Sequence, residues 1–200
     1  IKIVKNLPGN NFLNPNSMDL KKMLCINEED DILIYQGKFH EGRGIRFVIQ
    51  CITKLKNIAL VLIGDGPMKI QYLETAKKYK VEDKLFFIDA VPYKQLSQFS
   101  VDAYIGLSMI QPVSKSYEHA LPNKLFEYAV TGAPTICSNL PAMNDMINKY
   151  HTGIAINHND EIGFIDAYKT IKENYDDYIL NELDRQSLLW NNSLNEIINE

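Results

Sequence analysis

Short runs of apolar and β-branched residues recur along this chain with a helix-spaced stretch between each pair, and few folds accept that rhythm. Asp31–Gln36 (DILIYQ), Ala59–Ile63, Leu85–Ile88, Val101–Leu107, Thr135–Cys137 and Gly153–Ile156 read as short strands, the first two as strands buried on both faces. Between them, Ile45–Leu55 carries Ile45, Val48, Ile49, Ile52 and Leu55 at helical spacing. Met68–Lys80 turns Tyr72, Leu73, Ala76 and Tyr79 inward and its lysines outward. Pro92–Phe99, Asn123–Val130, Ala142–Asn148 and Ile162–Tyr175 complete the helical set. Strands alternating with helices imply right-handed crossovers and a parallel sheet covered on both faces. The expected class is therefore α/β, a Rossmann-like parallel sheet of about six strands with helices on both sides. Ligands of such sheets bind beyond the carboxyl ends of the strands, where the winding reverses.

The flanks are less regular. Ile1–Val4 reads as a short strand or strap, Asn6–Asn16 as a loop, and Ser17–Asn27 as a helix with Ser17 as N-cap. Leu180–Ile198 is a final helical stretch carrying the only tryptophan, Trp190. The expected organisation is a leading segment over 1–30, a core domain over 31–179 and a C-terminal helix over 180–200. A net charge of −4 disfavours general nucleic-acid binding. Cys25, Cys51 and Cys137 lack metal spacing and suggest reduced thiols, hence a cytoplasmic setting. No apolar run approaches a membrane span and no signal peptide opens the chain. The start at Ile1, without methionine, suggests a piece of a longer protein.

Three stretches carry candidate chemistry. GKFHEGRG, Gly37–Gly44, lacks the Lys-Ser/Thr pair of a P-loop, but it is a glycine-rich turn feeding a helix and holds Lys38 and Arg43. Its reading stays open between a diphosphate site and a solvated surface turn. GDGP, Gly64–Pro67, reads as a structural turn with Pro67 starting the next helix. ALPNKLFEYAVTGAP, Ala120–Pro134, opens a helix whose apolar pairs Leu125–Phe126 and Ala129–Val130 define one face, with Gly132 as its stop. Glu127 is expected off that buried face. It answers the helix dipole, or pairs with Lys124 on the surface, or accepts both hydroxyls of a ribose. The long polar loop Ser108–Leu121 before it suggests function or mobility. His40, His119, His151 and His158 are scattered, and no hydrolase or metalloenzyme pattern is present.

Taken in order, YQGKFHEGRGIRFVIQCI, LVLIGDGP, LFFIDAVPYKQL, VDAYIGLSM and LPNKLFEYAVTGAPTICSNLP resemble the C-terminal domain of a GT-B glycosyltransferase, most of all the retaining glycosyl transferases group 1 family. The resemblance spans roughly Asp31 to Ile171 and implies a nucleotide-diphosphate sugar as donor substrate, with no cofactor and no metal. It implies that Arg43, with Lys38, contacts the donor diphosphate. Lys124 and Leu125 would offer backbone amides to the phosphates, Val91 and Pro92 would flank the base, and Glu127 would grip the ribose as the second glutamate of the family's E-x7-E motif. The first glutamate of that motif is replaced by His119, with Glu118 one position early, so these two are the candidates for contact with the sugar. The expected function is sugar transfer in bacterial capsule, lipopolysaccharide or other polysaccharide synthesis, by an enzyme whose N-terminal acceptor-binding domain is missing here and through which any membrane contact would run. The alternatives are a non-catalytic nucleotide-sugar-binding subunit and a fragment of a GT-B sugar-nucleotide epimerase.

Overall fold

The computed structural model describes residues 6–190. The strands are β1 (Asp31–Gln36), β2 (Ile58–Ile63), β3 (Leu85–Ile88), β4 (Ile105–Ser108), β5 (Thr135–Ser138) and β6 (Gly153–Ile156). They form one sheet in the order β3-β2-β1-β4-β5-β6, with every neighbouring pair parallel. The helices are α1 (Leu20–Leu24), α2 (Ile45–Cys51), α3 (Lys69–Tyr79), α4 (Tyr93–Ser100), α5 (Lys115–Glu118), α6 (Lys124–Thr131), α7 (Pro141–Tyr150), α8 (Glu161–Glu173) and α9 (Glu182–Ser187). This is the Rossmann-like α/β fold that the alternation of strands and helices requires.

Strand side chains alternate between two cores, as a period of two dictates. Leu33 and Tyr35 of β1, with Leu60 and Leu62 of β2, pack under α2, α3 and α8. Ile32, Ile34, Ala59 and Val61 point the other way, toward Phe99, Ala103 and Tyr128. Around Cys137 of β5 a further cluster joins Leu125, Phe126 and Ala129 of α6 to Met143 and Ile147 of α7. Gly106 lets β4 pass beneath α6, because a Cβ there would lie 2.3 Å from the Tyr128 ring.

Several boundaries depart from the sequence reading. The first helix is only Leu20–Leu24, capped by Asp19, whose carboxylate accepts from Lys22 N; Ser17 serves one step upstream by accepting from Asp19 N. The fourth strand begins at Ile105 instead of Val101, because Val101 N–H donates to Ser97 O and closes α4. Ile45–Leu55 is α2 followed by a 3-10 turn, Ile52–Lys54. Helix α3 begins at Lys69, past Pro67, and its Leu73 is exposed instead of inward. The loop Ser108–Leu121 is not wholly polar or irregular: Met109 and Ile110 are buried, and Ser114 caps α5 within it. Of Leu180–Ile198 the described residues, which end at Trp190, hold α9, and the remainder, like Ile1–Val4, lies outside the described residues. Cys51 and Cys137 are buried, and Cys25 is exposed.

Both flanks pack onto α6. Phe12 joins the cluster of Leu125 and Phe126, and Arg185 donates to Val130 O at 3.4 Å and to Asn14 Oδ1 at 3.2 Å. Trp190 N–H donates to Pro8 O at 2.9 Å.

Candidate functional site

The winding reverses between β1 and β4, with β2 and β3 on one side and β5 and β6 on the other. β1 ends in Gln36-Gly37 at that point, and α6 opens over it. Helix α6 is buried along its whole length, from Lys124 to Thr131. It is packed by α4, β4, β5, α9 and the turn Asn10–Phe12, so it has no solvent face.

Glu127 is therefore not off the buried face: it is 4% exposed. Gln36 Nε2 donates to its Oε2 at 2.5 Å, and Ser100 Oγ lies 2.7 Å from Gln36 Oε1. Burial pushes the Glu127 carboxyl above the usual range, while hydrogen bonds from Gln36 and Tyr93 and the nearby Lys124 charge pull it back in part. Tyr128, next in the helix, accepts from Gln36 N–H at 3.2 Å and donates to Ile34 O at 3.1 Å, which locks α6 to β1.

Lys124 is buried too, so the surface pair with Glu127 does not form. Its Nζ sits 3.7 Å from the centre of the Tyr35 ring, a cation–π contact. Burial lowers its pKa to about 7, the Arg43 charge adds to that, and Glu127 opposes it. Gly37, at φ +132°, leaves the ammonium against the turn after β1, 3.4 Å from where a Cβ would stand.

Arg43 reaches the same region from the glycine-rich turn, with its guanidinium 5.0 Å from the centre of the Tyr117 ring and its buried Nε without a partner. Lys38 points elsewhere, into an exposed ion pair with Asp65 at 2.6 Å. The Leu125 amide is already used, donating to Pro122 O at 3.2 Å, and the amides of Phe126 and Glu127 donate to Asn123 O. The positive character of this helix mouth therefore comes from the Lys124 and Arg43 side chains more than from the Leu125 backbone donor expected from sequence.

Val91 lines a small cavity of about 140 Å³ with Gly37, Lys38, Gly64, Asp65 and Leu96, and Pro92 is exposed beside it. Glu118 and His119 are exposed at the end of α5. A larger cleft of about 440 Å³ opens between α2 and α3 and shares Arg43, with Glu41, Arg46, Lys78 and Glu161 also lining it, but neither Lys124 nor Glu127 does. Among the described residues no group of His, Cys, Asp and Glu is arranged to hold a metal ion, and no helix is long and apolar enough to cross a membrane.

Sequence reading missed Gln36, Tyr93 and Ser100. The available signal was Gln36 itself, a polar residue closing an apolar strand at the ligand edge, which demands a buried partner.

The model of the family described as glycosyl transferases group 1 matches residues 17–185. The chain belongs to the glycosyl transferases group 1 family. Among curated relatives of this group 1 family chain, Protein CapJ of Staphylococcus aureus is 30% identical over 135 residues, covering 64% of this chain and 32% of CapJ. The chain thus spans about a third of that relative's length. Among solved structures, Anabaena Alr3699/HepE in complex with UDP and glucose superposes with a TM-score of 0.80 at 11% identity, covering 99% of this chain and 56% of HepE. The C-terminal domain of the group 1 family protein LpcC from Francisella tularensis gives 0.69 at 13% identity, covering 90% of this chain and 96% of that domain. At such identities the two structures speak for the fold, which is that of GT-B glycosyltransferases.

Proposed function

We propose that this chain is the donor-binding half of a retaining, metal-independent GT-B glycosyltransferase that takes a sugar from a nucleotide-diphosphate sugar, in bacterial capsule, lipopolysaccharide or related polysaccharide synthesis. The observation that carries the reading is a buried carboxylate, Glu127, one turn along α6 from a buried ammonium, Lys124, at the switch point of the sheet. A carboxylate accepts two hydroxyls of a ribose, and cations one turn away meet the diphosphate. The HepE complex with UDP and glucose, on the same fold, supports this ligand class.

In this reading Lys124 and Arg43 lie against the diphosphate and stabilise it as charge develops on the departing group. Lys38 joins them by leaving Asp65. Leu125 sets the helix mouth with its amide held by Pro122 O, and Val91 and Pro92 flank the base at the small cavity. Glu127 positions the donor through its ribose, which raises rate by orientation. Glu118 and His119 approach the sugar from α5. The acceptor is bound by a further domain, and the chain alone is inactive in transfer.

Calorimetric titration with UDP, GDP and their sugars tests the site. Native chain is expected to bind at least one of them, with Glu127→Ala and Arg43→Ala each weakening it roughly tenfold or more. Absence of any binding, or unchanged affinity in both variants, would sink the assignment. Sugar transfer by the 200-residue chain alone would overturn the fragment reading.

A further inference from the structure

Gln36 stands between a hydroxyl and a carboxylate, with no water-exposed alternative for either end of its amide. Ser100, Gln36 and Glu127 are 0%, 2% and 4% exposed, and the contacts run Ser100 Oγ to Gln36 Oε1 at 2.7 Å and Gln36 Nε2 to Glu127 Oε2 at 2.5 Å. The Ser100 hydroxyl has a second acceptor, Leu96 O at 2.9 Å, but only one proton. It therefore serves either end of the amide: as donor to Oε1, or, when its proton goes to Leu96 O, as acceptor from Nε2. We propose that Gln36 is a positioning residue for Glu127, an amide that presents N–H to the carboxylate and holds it as an acceptor for ribose hydroxyls, with Ser100 as its adaptable anchor.

The proposal rests on the donor-binding reading above and names what makes its ribose contact possible. A carboxyl this buried loses its charge unless hydrogen bonds and cations support it. Around it stand Lys124 and Tyr128 from α6 and Tyr93 from α4, while Tyr35 from β1 and Arg43 from the turn after β1 act on Lys124. Tyr93 is half exposed, and Lys124 is itself desolvated over the Tyr35 ring, so Gln36 is the fully buried neutral donor that holds the carboxylate in place. Were Glu127 to take up a proton, it would become a donor, the amide would turn its Oε1 toward it, and Ser100 would accept from Nε2. In that state the protonated oxygen is a donor and a poor acceptor, which weakens the grip on a diol.

The test is UDP and GDP affinity against pH for native chain, Gln36→Leu, Gln36→Glu and Glu127→Ala, with thermal unfolding alongside. A ¹³C carboxyl titration of Glu127 without ligand accompanies it. Gln36→Leu removes the donor at similar volume, and Gln36→Glu replaces it with an acceptor. Both are expected to move the Glu127 titration, and with it the acid limb of binding, to higher pH. Affinity near neutral pH should fall roughly tenfold and recover in part as pH rises above the new midpoint. A loss equal at every pH, or an unmoved Glu127 titration in whichever variant folds, would overturn the positioning role. If Glu127→Ala abolishes binding while the Gln36 variants match native chain, this inference fails alone. If Glu127→Ala binds like native chain, the ribose assignment falls and this inference with it.

Discussion

Lys124 is held in an environment that penalises its charge. In the unfolded chain a lysine keeps its proton up to its ordinary 10.5, whereas the folded one loses it at about 7. Between those values the unfolded state binds more protons, so this residue makes the fold more stable as pH rises, and its penalty is complete below about pH 7. Lys124→Met is therefore expected to raise urea stability by a few kcal/mol at about pH 6, with the gain shrinking toward pH 10. The same variant should bind UDP more weakly than native chain, and equal or tighter UDP binding would argue against a phosphate role. The identities of Lys124 and Glu127 as the residues of interest were legible in the sequence, but their burial was not. Two apolar pairs four residues apart mark one face of a helix, and that logic assumes the opposite face meets water. Helix α6 meets α9, α4 and the Asn10–Phe12 turn there instead, partners distant in sequence that no local pattern announces.

Among the elements, strands with unbroken apolar runs were readable nearly to the residue: β1 spans Asp31–Gln36 as expected, and β2 gains only Ile58. The strand β4 was not, because Val101 and Ala103 are apolar for a different reason, packing or closing the turn after α4. What β4 does require is Gly106, and the cause lies across the core in Tyr128. Gly106→Ala is expected to cost about 1–3 kcal/mol in denaturant unfolding, since the ring cannot move without breaking its bonds to Gln36 N and Ile34 O. A mild effect on stability with full nucleotide affinity would show that Tyr128 has room to shift.

For the whole molecule, the described residues before β1 and after α8 belong to the same body as the sheet, because both sets sit on α6. Phe12 is fully buried there, its ring 5.3 Å from that of Tyr93, which contacts Glu127. Phe12→Ala should cost about 3–5 kcal/mol, seen as a lowered urea midpoint. It should also weaken UDP binding through Tyr93, where a merely peripheral segment would leave affinity unchanged. The partition of the thiols has a practical consequence. Cys51 lies in the core under α2, α3 and α8 and Cys137 in the cluster between α6 and α7, with burial pushing each up to about 12, while Cys25 ends α1 in solvent. Maleimide dyes should therefore label one thiol in native chain and three after denaturation, which gives a single fluorescent reporter outside the Glu127 pocket without any engineered cysteine.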